Sequence, residues 1–235
     1  MATPFFYEEN LSSSDVFILS EETSRHVAQV LRMKEGEKVI LTNGKGHTQT
    51  SEIILADKKK TKVKIIAKEF IARPAPKTTI AISLIKNSNR FEWFVEKATE
   101  IGVSAIIPLI CRRSEKTHFK SERIKSILIS AMLQSQQSWL PEISEPLKFS
   151  DFIRQENEGQ KFIAHCLEEN KKELKDLVIK NASKTILIGP EGDFTTDEIE
   201  SSLQKNFIPV TLGKTRLRTE TAGIVAAALL INGPE

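Results

Sequence analysis

Cysteines and long apolar runs are both scarce in this sequence, and each scarcity excludes a class of protein. Only two cysteines occur, Cys111 and Cys166, so a disulfide framework is excluded. No apolar run follows a basic start, so we expect no signal peptide. The apolar stretch at 223–231 is far too short to span a bilayer. We therefore expect a globular protein in a reduced, cytoplasmic setting.

Metal ligands and nucleotide-binding motifs are also missing. The four histidines are scattered without a spacing suited to zinc, so we expect no metal. Gly44-Lys-Gly46 lacks the third glycine of the dinucleotide-binding fingerprint, and no Gly-x-x-x-x-Gly-Lys-Ser/Thr sequence occurs. These absences argue against nucleotide hydrolysis and dinucleotide redox chemistry.

What the chain does have is an uneven distribution of charge. Residues 77–127 hold ten lysines and arginines against five acidic residues, whereas residues 128–235 hold 12 against 16. Within the middle region, residues 112–125 contain six basic residues and only two acidic ones. This basic cluster consists of Arg112, Arg113, Lys116, Lys120, Arg123 and Lys125. Such a cluster is suited to neutralising the phosphates of a nucleic acid. A solvated helix start and loop would have the same composition, so both readings stay open.

The first 71 residues indicate short strands around one helix. Asn43-Gly-Lys-Gly46 is a strong turn signal between two strand-like segments. Ser20 can cap a helix that carries Val27, Val30 and Leu31 on one face. The segments with strand character are 16–19, 38–42, 50–55 and 61–70. Several short strands with one helix predict a small β-barrel.

Arg73-Pro-Ala-Pro-Lys77 is the best linker in the chain, because two prolines enforce an extended and stiff connection. We place a domain boundary there. Apolar runs alternate with helical periodicity after it, which predicts a mostly parallel sheet with helices on both faces. Strands are expected at 80–85, 104–110, 162–166, 186–188 and 207–212. Helices are expected at 91–101, at 124–135, at 173–180, in a segment that begins near Thr195, and at 223–231.

Two polar loops stand out in the last part of this α/β region. Gly189-Pro-Glu-Gly192 follows an apolar strand, and the capping-box pattern Thr195-x-x-Glu198 starts a helix after it. Leu217-Arg-Thr-Glu-Thr-Ala222 precedes the apolar helix. A loop between the C-terminal end of a strand and a helix is where α/β sheets bind ligands. Glycines have no Cβ, so they let the backbone approach a ligand closely.

These two loops resemble the C-terminal signature of SPOUT-superfamily RNA methyltransferases. More narrowly, they are similar to the bacterial family that methylates N3 of a uridine in 16S ribosomal RNA. Further matches to that family lie at His26–Arg32, at Arg90–Gly102 and at Gln134-Ser135 followed by Pro141-Glu-Ile143. The resemblance implies a PUA-like β-barrel for RNA binding at 1–72. It also implies a SPOUT-type knotted α/β domain with a mostly parallel sheet at 73–235, its C-terminal part forming a trefoil knot.

The resemblance also implies the cofactor and the partners. They are S-adenosyl-L-methionine, ribosomal RNA of the small subunit and a second copy of the chain bound through the C-terminal domain, with no membrane involved. Backbone groups and leucines in the loops suit an adenine ring. The expected cofactor-binding residues are Leu187, Ile188, Gly189, Pro190, Glu191, Gly192, Leu212, Gly213, Leu217, Arg218, Thr219 and Ala222.

Methyl transfer from a sulfonium is an in-line displacement that needs an aligned acceptor, and uridine N3 must lose its proton. Glu191 or Glu220 is the expected base, and Arg218 is expected to hold a phosphate or stabilise the uridine anion. For Glu220 an ion-pair or capping role at the helix start is the stronger alternative. The expected RNA-binding residues are Arg25, Arg32, Lys45, Arg112, Arg113 and Lys116.

The sequence departs from the commonest form of the family at three positions, which leaves the RNA contacts open. These positions are Leu133, Gln137 and Thr215. Trp139, Phe119 and Phe5 are the aromatic residues available for stacking on a base, with core packing as the competing role. Two other functions stay open: a SPOUT enzyme with another RNA target, such as a ribose 2′-hydroxyl or a tRNA, and a non-catalytic RNA-binding ribosome assembly factor.

Overall fold

The computed structural model describes residues 3–156, 158–167 and 171–233. The chain folds into two compact units. The first comprises the residues up to Arg73 together with Met132–Leu140. The second comprises Pro74–Ala131 and the residues from Pro141 onward. The N-terminal unit is therefore completed by a short segment that returns to it some sixty residues after the linker.

The first unit is built on a five-stranded sheet with one short helix. Its strands follow the order β1-β3-β4-β5-β2 and pair antiparallel, except that β1 runs parallel to β3. A separate apolar core that includes Phe6, Leu41 and Val63 lies under this sheet. The elements are β1 (Phe5–Tyr7), β2 (Val16–Ile18), α1 (Glu21–Arg25), a π-helical turn (His26–Val30), β3 (Lys38–Thr42), β4 (His47–Leu55) and β5 (Lys62–Phe70).

The helix of this unit starts as the sequence predicts but ends differently. The Ser20 hydroxyl accepts a hydrogen bond from the Thr23 N–H at 3.3 Å. The prediction that Val27, Val30 and Leu31 lie on one face of a regular helix is wrong. Val27 is buried, whereas Val30 is 65% and Leu31 44% exposed. The cause is the wider π-helical turn, in which the Leu31 N–H donates to the His26 carbonyl five residues back and shifts the later side chains off the 3.6-residue period.

The second unit is α/β, as predicted. Its sheet has the order β11-β13-β10-β12-β6-β7-β8, with β9 also paired to β7, and every pairing in it is parallel. The elements are β6 (Thr78–Ser83), α2 (Ser88–Ile101), β7 (Ala105–Ile110), α3 (Ser121–Gln134), β8 (Glu142–Ile143), β9 (Leu147–Lys148), α4 (Phe149–Arg154), β10 (Gln160–Ala164), β11 (Lys172–Glu173), β12 (Lys184–Ile188), α5 (Thr196–Gln204), β13 (Ile208–Thr211) and α6 (Thr219–Asn232).

Helices cover both faces of this sheet because its strands are apolar on both sides. Ala81 and Leu187 point toward α4 and α5, where they join a core that contains Phe152 and Ile199. The neighbouring residue Ile82 points the other way, toward α6. The prediction of a buried parallel sheet covered on both faces is therefore confirmed.

Two helix ends confirm the sequence signals, and one predicted helix is wrong. Gly102 ends α2 in a left-handed conformation at φ 100°, and Thr195 and Glu198 form a reciprocal capping box at the start of α5. The helix expected at 173–180 is absent: the chain has β11 and a single 3₁₀ turn, Leu174–Asp176. The Gln160 side chain instead satisfies this segment, accepting from the Ile179 N–H and donating to the Leu177 carbonyl, both at 2.7 Å.

The apolar helix α6 packs closely on α2 and β6. A Cβ added to Gly223 would lie 2.6 Å from a Phe94 ring atom and 2.9 Å from Ile82 Cδ1, so only glycine fits at this crossing. The opposite side of α6 is only partly covered, since Ile224, Val225 and Ala228 are half-buried. No helix in the described part of the chain is both long and apolar enough to cross a membrane.

Candidate active site

The candidate site lies where three neighbouring parallel strands, β10, β12 and β13, reach their C-terminal ends. A cavity of about 370 Å³ opens there between the 189–193 loop, the end of β10 and the start of α6. Parallel strands end at the same edge of a sheet, so loops that are far apart in sequence meet at this edge. The expected cofactor residues that line it are Ile188, Gly189, Pro190, Glu191, Leu217, Arg218, Thr219 and Ala222.

A second cavity of about 370 Å³ adjoins the first at the end of β13. It is lined by Leu212 and Gly213, both of which the sequence singled out. The two cavities share the lining residues Ala164, Cys166, Arg216, Leu217 and Ala222. They therefore form one continuous depression, which we call the loop cavity, of a size typical of small-molecule sites.

Two of the expected cofactor residues do not line the loop cavity. The side chain of Leu187 is fully buried in the core under α4 and α5. Gly192 faces Arg113, because a Cβ built there would lie 3.3 Å from Arg113 Cδ. Gly189 does line the cavity, but its missing side chain makes room for the ring of Phe194. The glycines thus shape the loop through its protein contacts.

Asp193 fastens this loop to the end of β10. Its backbone has φ 65°, a left-handed conformation that aspartate tolerates better than most residues. One carboxylate oxygen accepts from the Cys166 N–H at 2.7 Å, and the other accepts from the Phe194 N–H at 2.8 Å. Burial, and then the negative charge of Asp193, raise the pKa of the Cys166 thiol. Cys166 therefore lines the cavity as a neutral thiol at neutral pH.

The three expected catalytic residues are not brought together at one point. Glu191 and Arg218 both line the loop cavity, and a Glu191 carboxylate oxygen accepts from the Lys86 N–H at 3.2 Å. The Glu220 side chain is only 8% exposed and lies 3.7 Å from the Nε of Arg90. Glu220 is absent from the cavity lining. Its position matches the ion-pair alternative that the sequence left open.

The basic cluster at 112–125 is divided among several partners. The Arg113 guanidinium donates to the Gly192 carbonyl at 2.7 Å and to the Phe194 carbonyl at 3.3 Å, so it braces the 189–193 loop. The backbone N–H of Arg112 donates to Glu198 at 2.8 Å. Arg123 pairs with Glu92 at 3.0 Å. The Lys116 ammonium donates to the Ser88 hydroxyl.

The expected RNA-binding residues of the first unit lie on its surface. Arg25 is exposed and pairs with Glu21 at 3.3 Å. Arg32 is exposed at φ 53°, in the left-handed region. Lys45 is exposed in the β3–β4 turn, and its backbone bridges to Trp139 of the returning segment.

An exposed aromatic group lies close to Lys45. Phe70 is 58% exposed, and its ring lies 4.8 Å from that of His47 and 6.2 Å from that of Trp139. The Arg73 guanidinium stands 5.3 Å above the Trp139 ring. Of these residues the sequence singled out only Trp139 for stacking. Its grouping with Phe70 was not predictable, because the return of segment 132–140 to the first unit has no local sequence signal.

Several cavity residues were also missed by sequence reasoning. Ala164, Cys166, Asp193 and Arg216 all line the loop cavity. Ala164 ends β10 and Cys166 lies just after it, and the place of β10 between β12 and β13 depends on strand order and cannot be read from local patterns. Asp193 directly follows the Gly189–Gly192 motif and Arg216 directly precedes the Leu217–Ala222 motif, so each lies one residue outside a motif.

Comparison with known proteins assigns both units. A family model described as RNA methyltransferase domain matches residues 73–231, and one described as RNA methyltransferase PUA domain matches residues 19–66. Ribosomal RNA small subunit methyltransferase E of Rickettsia conorii is 31% identical over 220 residues, covering 92% of this chain and 89% of the relative.

Two solved structures resemble the whole chain. A probable rRNA-methyltransferase from Porphyromonas gingivalis is 37% identical with a TM-score of 0.88, covering 95% of each chain. A putative methyltransferase from Legionella pneumophila, crystallised with bound S-adenosylmethionine, is 32% identical with a TM-score of 0.86, covering 98% of this chain and 97% of the other. The match over the α/β unit, with the PUA match before it, shows that the chain belongs to the RNA methyltransferase family.

Proposed function

We propose that this protein uses S-adenosylmethionine to methylate N3 of a uridine in small-subunit ribosomal RNA. The observation that carries the proposal is the loop cavity, in which nearly all the expected cofactor residues meet. The name of the Rickettsia conorii relative supports the substrate class. The resemblance of the two loop motifs to the uridine-N3 family supports the position of the methyl group.

The loop cavity has the chemistry that this cofactor needs. Ile188 and Leu217 offer apolar contacts for an adenine ring, and the backbone groups around Gly189 and Gly213 offer hydrogen bonds for its edge. Gly213 has φ 135° and nothing within 4 Å of a built Cβ, and the Thr211 hydroxyl holds its backbone by accepting from its N–H at 3.3 Å and donating to its carbonyl at 2.8 Å. The bound cofactor would supply an activated methyl group with a neutral thioether as leaving group.

Residues of the protein would accept the proton of uridine N3 and stabilise the negative charge that forms on the base. Glu191 lines the cavity, so we assign it as the group that accepts the N3 proton. Glu220 is buried beside Arg90 and outside the cavity lining, so we assign it to holding the start of α6 against α2. Arg218 lines the cavity with an exposed side chain and is suited to stabilise the uridine anion.

The first unit is proposed to grip the RNA as a PUA-type domain. Between residues 38 and 73 the chain has nine lysines and arginines against three acidic residues, which favours contact with phosphates. The exposed rings of His47 and Phe70 offer a surface on which unpaired bases can stack. Arg25, Arg32 and Lys45 remain the proposed phosphate contacts of this unit, and Arg112 and Lys116 those of the second.

The enzyme is proposed to act in the cytoplasm as a homodimer built on the second unit, with the trefoil knot that the family resemblance implies. The outer side of α6 presents half-buried Ile224, Val225 and Ala228, and Trp93 on the neighbouring helix α2 is 45% exposed. Apolar surface of this kind favours a symmetric partner. We propose a barrel formed by residues 1–72 together with the returning segment 132–140, and a methyltransferase domain formed by the rest of residues 73–235.

Mass mapping of ribosomal RNA tests the proposed function directly. Small subunits from cells that lack this protein are incubated with the purified chain and S-adenosylmethionine, and nuclease fragments are then weighed. We expect one new methyl group on the base of a single uridine. A methyl group on a ribose or in tRNA would favour the other SPOUT target, and cofactor-independent RNA binding without methylation would favour the assembly factor.

A further inference from the structure

The turn between β4 and β5 and the strand that follows it carry a run of positive charge. Residues 58–68 contain six lysines and no acidic residue. The carboxylate of Asp57, just before the run, accepts hydrogen bonds from the backbone N–H groups of Lys59 and Lys60 at 2.8 and 2.9 Å. These bonds lower the pKa of Asp57 and order the turn, where Lys58, Lys59 and Lys60 are all exposed. The turn therefore presents three ammonium groups to solvent.

Two lysines of β5 itself lie on the outer face of the sheet. Val63, which stands between them, is fully buried in the core of the first unit. Successive side chains of a strand point to opposite faces. Lys62 and Lys64 therefore point away from that core, and both are exposed.

Cross-strand pairing continues this outer face over four strands. Lys64 is paired with Glu52 of β4 on one side and with Val16 of β2 on the other. Lys38 of β3 is paired with the same glutamate on its far side. Neighbouring strands lie about 4.8 Å apart, so this row of four residues spans roughly 14 Å.

A second row contains Lys62, which is paired with Leu55 of β4 and with Ile18 of β2. Leu55 and Ile18 are 41% and 50% exposed, and they can support the aliphatic part of the lysine side chain. We call the two rows together with the turn lysines the lysine face. Its members are Lys38, Glu52, Lys64, Val16, Leu55, Lys62, Ile18, Lys58, Lys59 and Lys60.

The lysine face suits the backbone of an RNA duplex. It holds six lysines against one acidic residue, Glu52, and it has no aromatic member. Lysine ammonium groups neutralise phosphates without regard to base sequence. A single strand is held by bases stacked on aromatic rings, whereas a duplex is recognised by its shape and through its phosphates and 2′-hydroxyl groups. A broad, basic face without rings therefore fits paired RNA better than it fits a single strand.

The aromatic group of this unit lies on the other face of β5. Past a register shift in the pairing of β4 with β5, Lys68 is paired with Gln49 and Phe70 with His47. Gln49 is buried, and directly paired residues share a face of the sheet. Lys68 and Phe70 therefore lie on the core side, opposite to the lysine face. The strand thus carries two separate surfaces.

We infer that the lysine face binds the phosphate backbone of an RNA duplex, while the aromatic group on the other face of β5 takes unpaired bases. The first unit then holds paired and unpaired RNA on two faces of one strand. This inference rests on the proposed function, which supplies RNA as the partner. It deepens that function by naming the form of RNA that each surface takes. None of the lysines of this face is among the phosphate contacts assigned above.

Binding of two RNA probes to the full chain at several salt concentrations tests the assignment. The probes are a blunt RNA duplex of about 16 base pairs and an unstructured oligonucleotide of uridines, each labelled for fluorescence anisotropy. The double variant Lys62→Gln with Lys64→Gln removes two charges and keeps side chains of similar length. We expect it to weaken duplex binding on the order of tenfold and to reduce the slope of log affinity against log salt by about 2. Its affinity for the uridine oligonucleotide should stay close to that of the parent.

Matched variants make the test specific to the surface. Lys172→Gln with Lys205→Gln removes the same charge from exposed positions of the second unit that do not line the loop cavity. It should leave both affinities unchanged. Phe70→Ala should weaken binding of the uridine oligonucleotide and leave the duplex unchanged. If thermal unfolding shows the double lysine variant to be unfolded, Lys64→Gln alone, with an expected change in slope of about 1, provides the same test.

Three results would overturn the proposal. The first is an unchanged salt slope for the duplex in the Lys62→Gln, Lys64→Gln variant. The second is an equal loss of affinity in the control pair, or for both RNA probes. The third is binding to vesicles of phosphatidylserine and phosphatidylcholine that depends on these lysines while duplex binding does not, which would assign the lysine face to an anionic membrane.

The failure of this proposal is distinguishable from the failure of the proposed function. If mass mapping finds no uridine-N3 methylation but duplex binding depends on Lys62 and Lys64, then the reaction assignment fails and the duplex surface stands. If methylation occurs and the double lysine variant binds the duplex with the salt slope of the parent, then the reaction stands and the lysine face is not an RNA surface.

Discussion

The ring of Phe194 packs against the α-carbon of Gly189. A Cβ built on Gly189 would lie 3.1 Å from Cδ2 of that ring and 3.2 Å from Cε2. Phe194 is itself held in the core, with its ring centroid 5.6 Å from that of Phe149. The conformation of the 189–193 loop is therefore determined by the core residues packed under α4 and α5.

This contact predicts how substitutions at Gly189 act. Gly189→Ala should push the Phe194 ring and the loop apart, costing roughly 1 kcal/mol and about fivefold in S-adenosylmethionine affinity. Gly189→Val should abolish binding. Calorimetry of the double variant Gly189→Ala with Phe194→Leu checks the cause, because a smaller side chain at 194 should restore part of the affinity. Unchanged affinity in Gly189→Val would contradict both the contact and the cofactor assignment.

A second prediction concerns Arg113, which the sequence assigned to RNA. Its guanidinium donates to the carbonyls of Gly192 and Phe194, so Arg113→Ala should loosen the loop. Because the side chain is exposed, we expect a loss of about 1 kcal/mol, or about fivefold in cofactor affinity. Arg112→Ala is the matched control, since the bond from Arg112 to Glu198 is donated by the backbone N–H and is kept in this variant. It should leave cofactor affinity unchanged and reduce the salt dependence of RNA binding. Equal cofactor affinity in the two variants would argue against the bracing role.

Structural features that depend on neighbouring residues could be predicted from the sequence, whereas features that depend on distant residues could not. The cap at Thr195 and the left-handed end at Gly102 depend on residues within one helical turn, and both were predictable. The π-helical turn after Arg25 and the extended segment after Lys172 were not. The first changes the helical period over five residues, and the second depends on the Gln160 side chain from a distant strand.

The residues of the candidate site also fall into a predictable and an unpredictable group. The loop residues from Gly189 to Glu191 and from Leu217 to Thr219 were predictable because they form contiguous motifs. Cys166 was not, because it joins the site through the order of parallel strands. The bracing of Gly192 by Arg113 joins residues 79 positions apart. A basic cluster looks the same in sequence whether its members bind phosphates or backbone carbonyls.

A third prediction separates the roles of the two glutamates. Glu191→Gln removes the proposed proton acceptor and should lower the methylation rate constant by about 10²-fold or more, with cofactor affinity changed little. Glu220→Gln weakens the pair with Arg90 and should lower the thermal midpoint while leaving most of the rate. Single-turnover kinetics at saturating RNA and thermal unfolding of both variants provide the measurements. The opposite pattern would assign Glu220 as the base.

A fourth prediction concerns the dimer. Val225→Asp places a charge on the half-buried outer side of α6, so we expect a monomeric mass by light scattering at micromolar concentration and little methylation. Gln204→Glu, at the exposed end of α5, is the control and should leave the dimer intact. A point substitution is a sharper test than deleting residues 1–73, because the deletion would also remove the partners of segment 132–140, such as the Gly44 carbonyl that accepts from the Leu140 N–H. A Val225→Asp variant that stays dimeric would place the interface elsewhere.

The last prediction concerns RNA binding by the first unit. Phe70 and Ile66 are both exposed residues of β5, at 58% and 49%, but only Phe70 belongs to the aromatic group with His47 and Trp139. Loss of one stacking ring costs about 1–3 kcal/mol, so Phe70→Ala should weaken binding of an unstructured RNA by roughly fivefold or more. Ile66→Ala removes comparable apolar surface and should have no such effect. Fluorescence anisotropy with a labelled oligonucleotide gives the affinities, and calorimetry with S-adenosylmethionine should show both variants equal to the parent. If the two substitutions weaken RNA binding equally, the effect is a general loss of apolar surface and the aromatic group does not stack on bases.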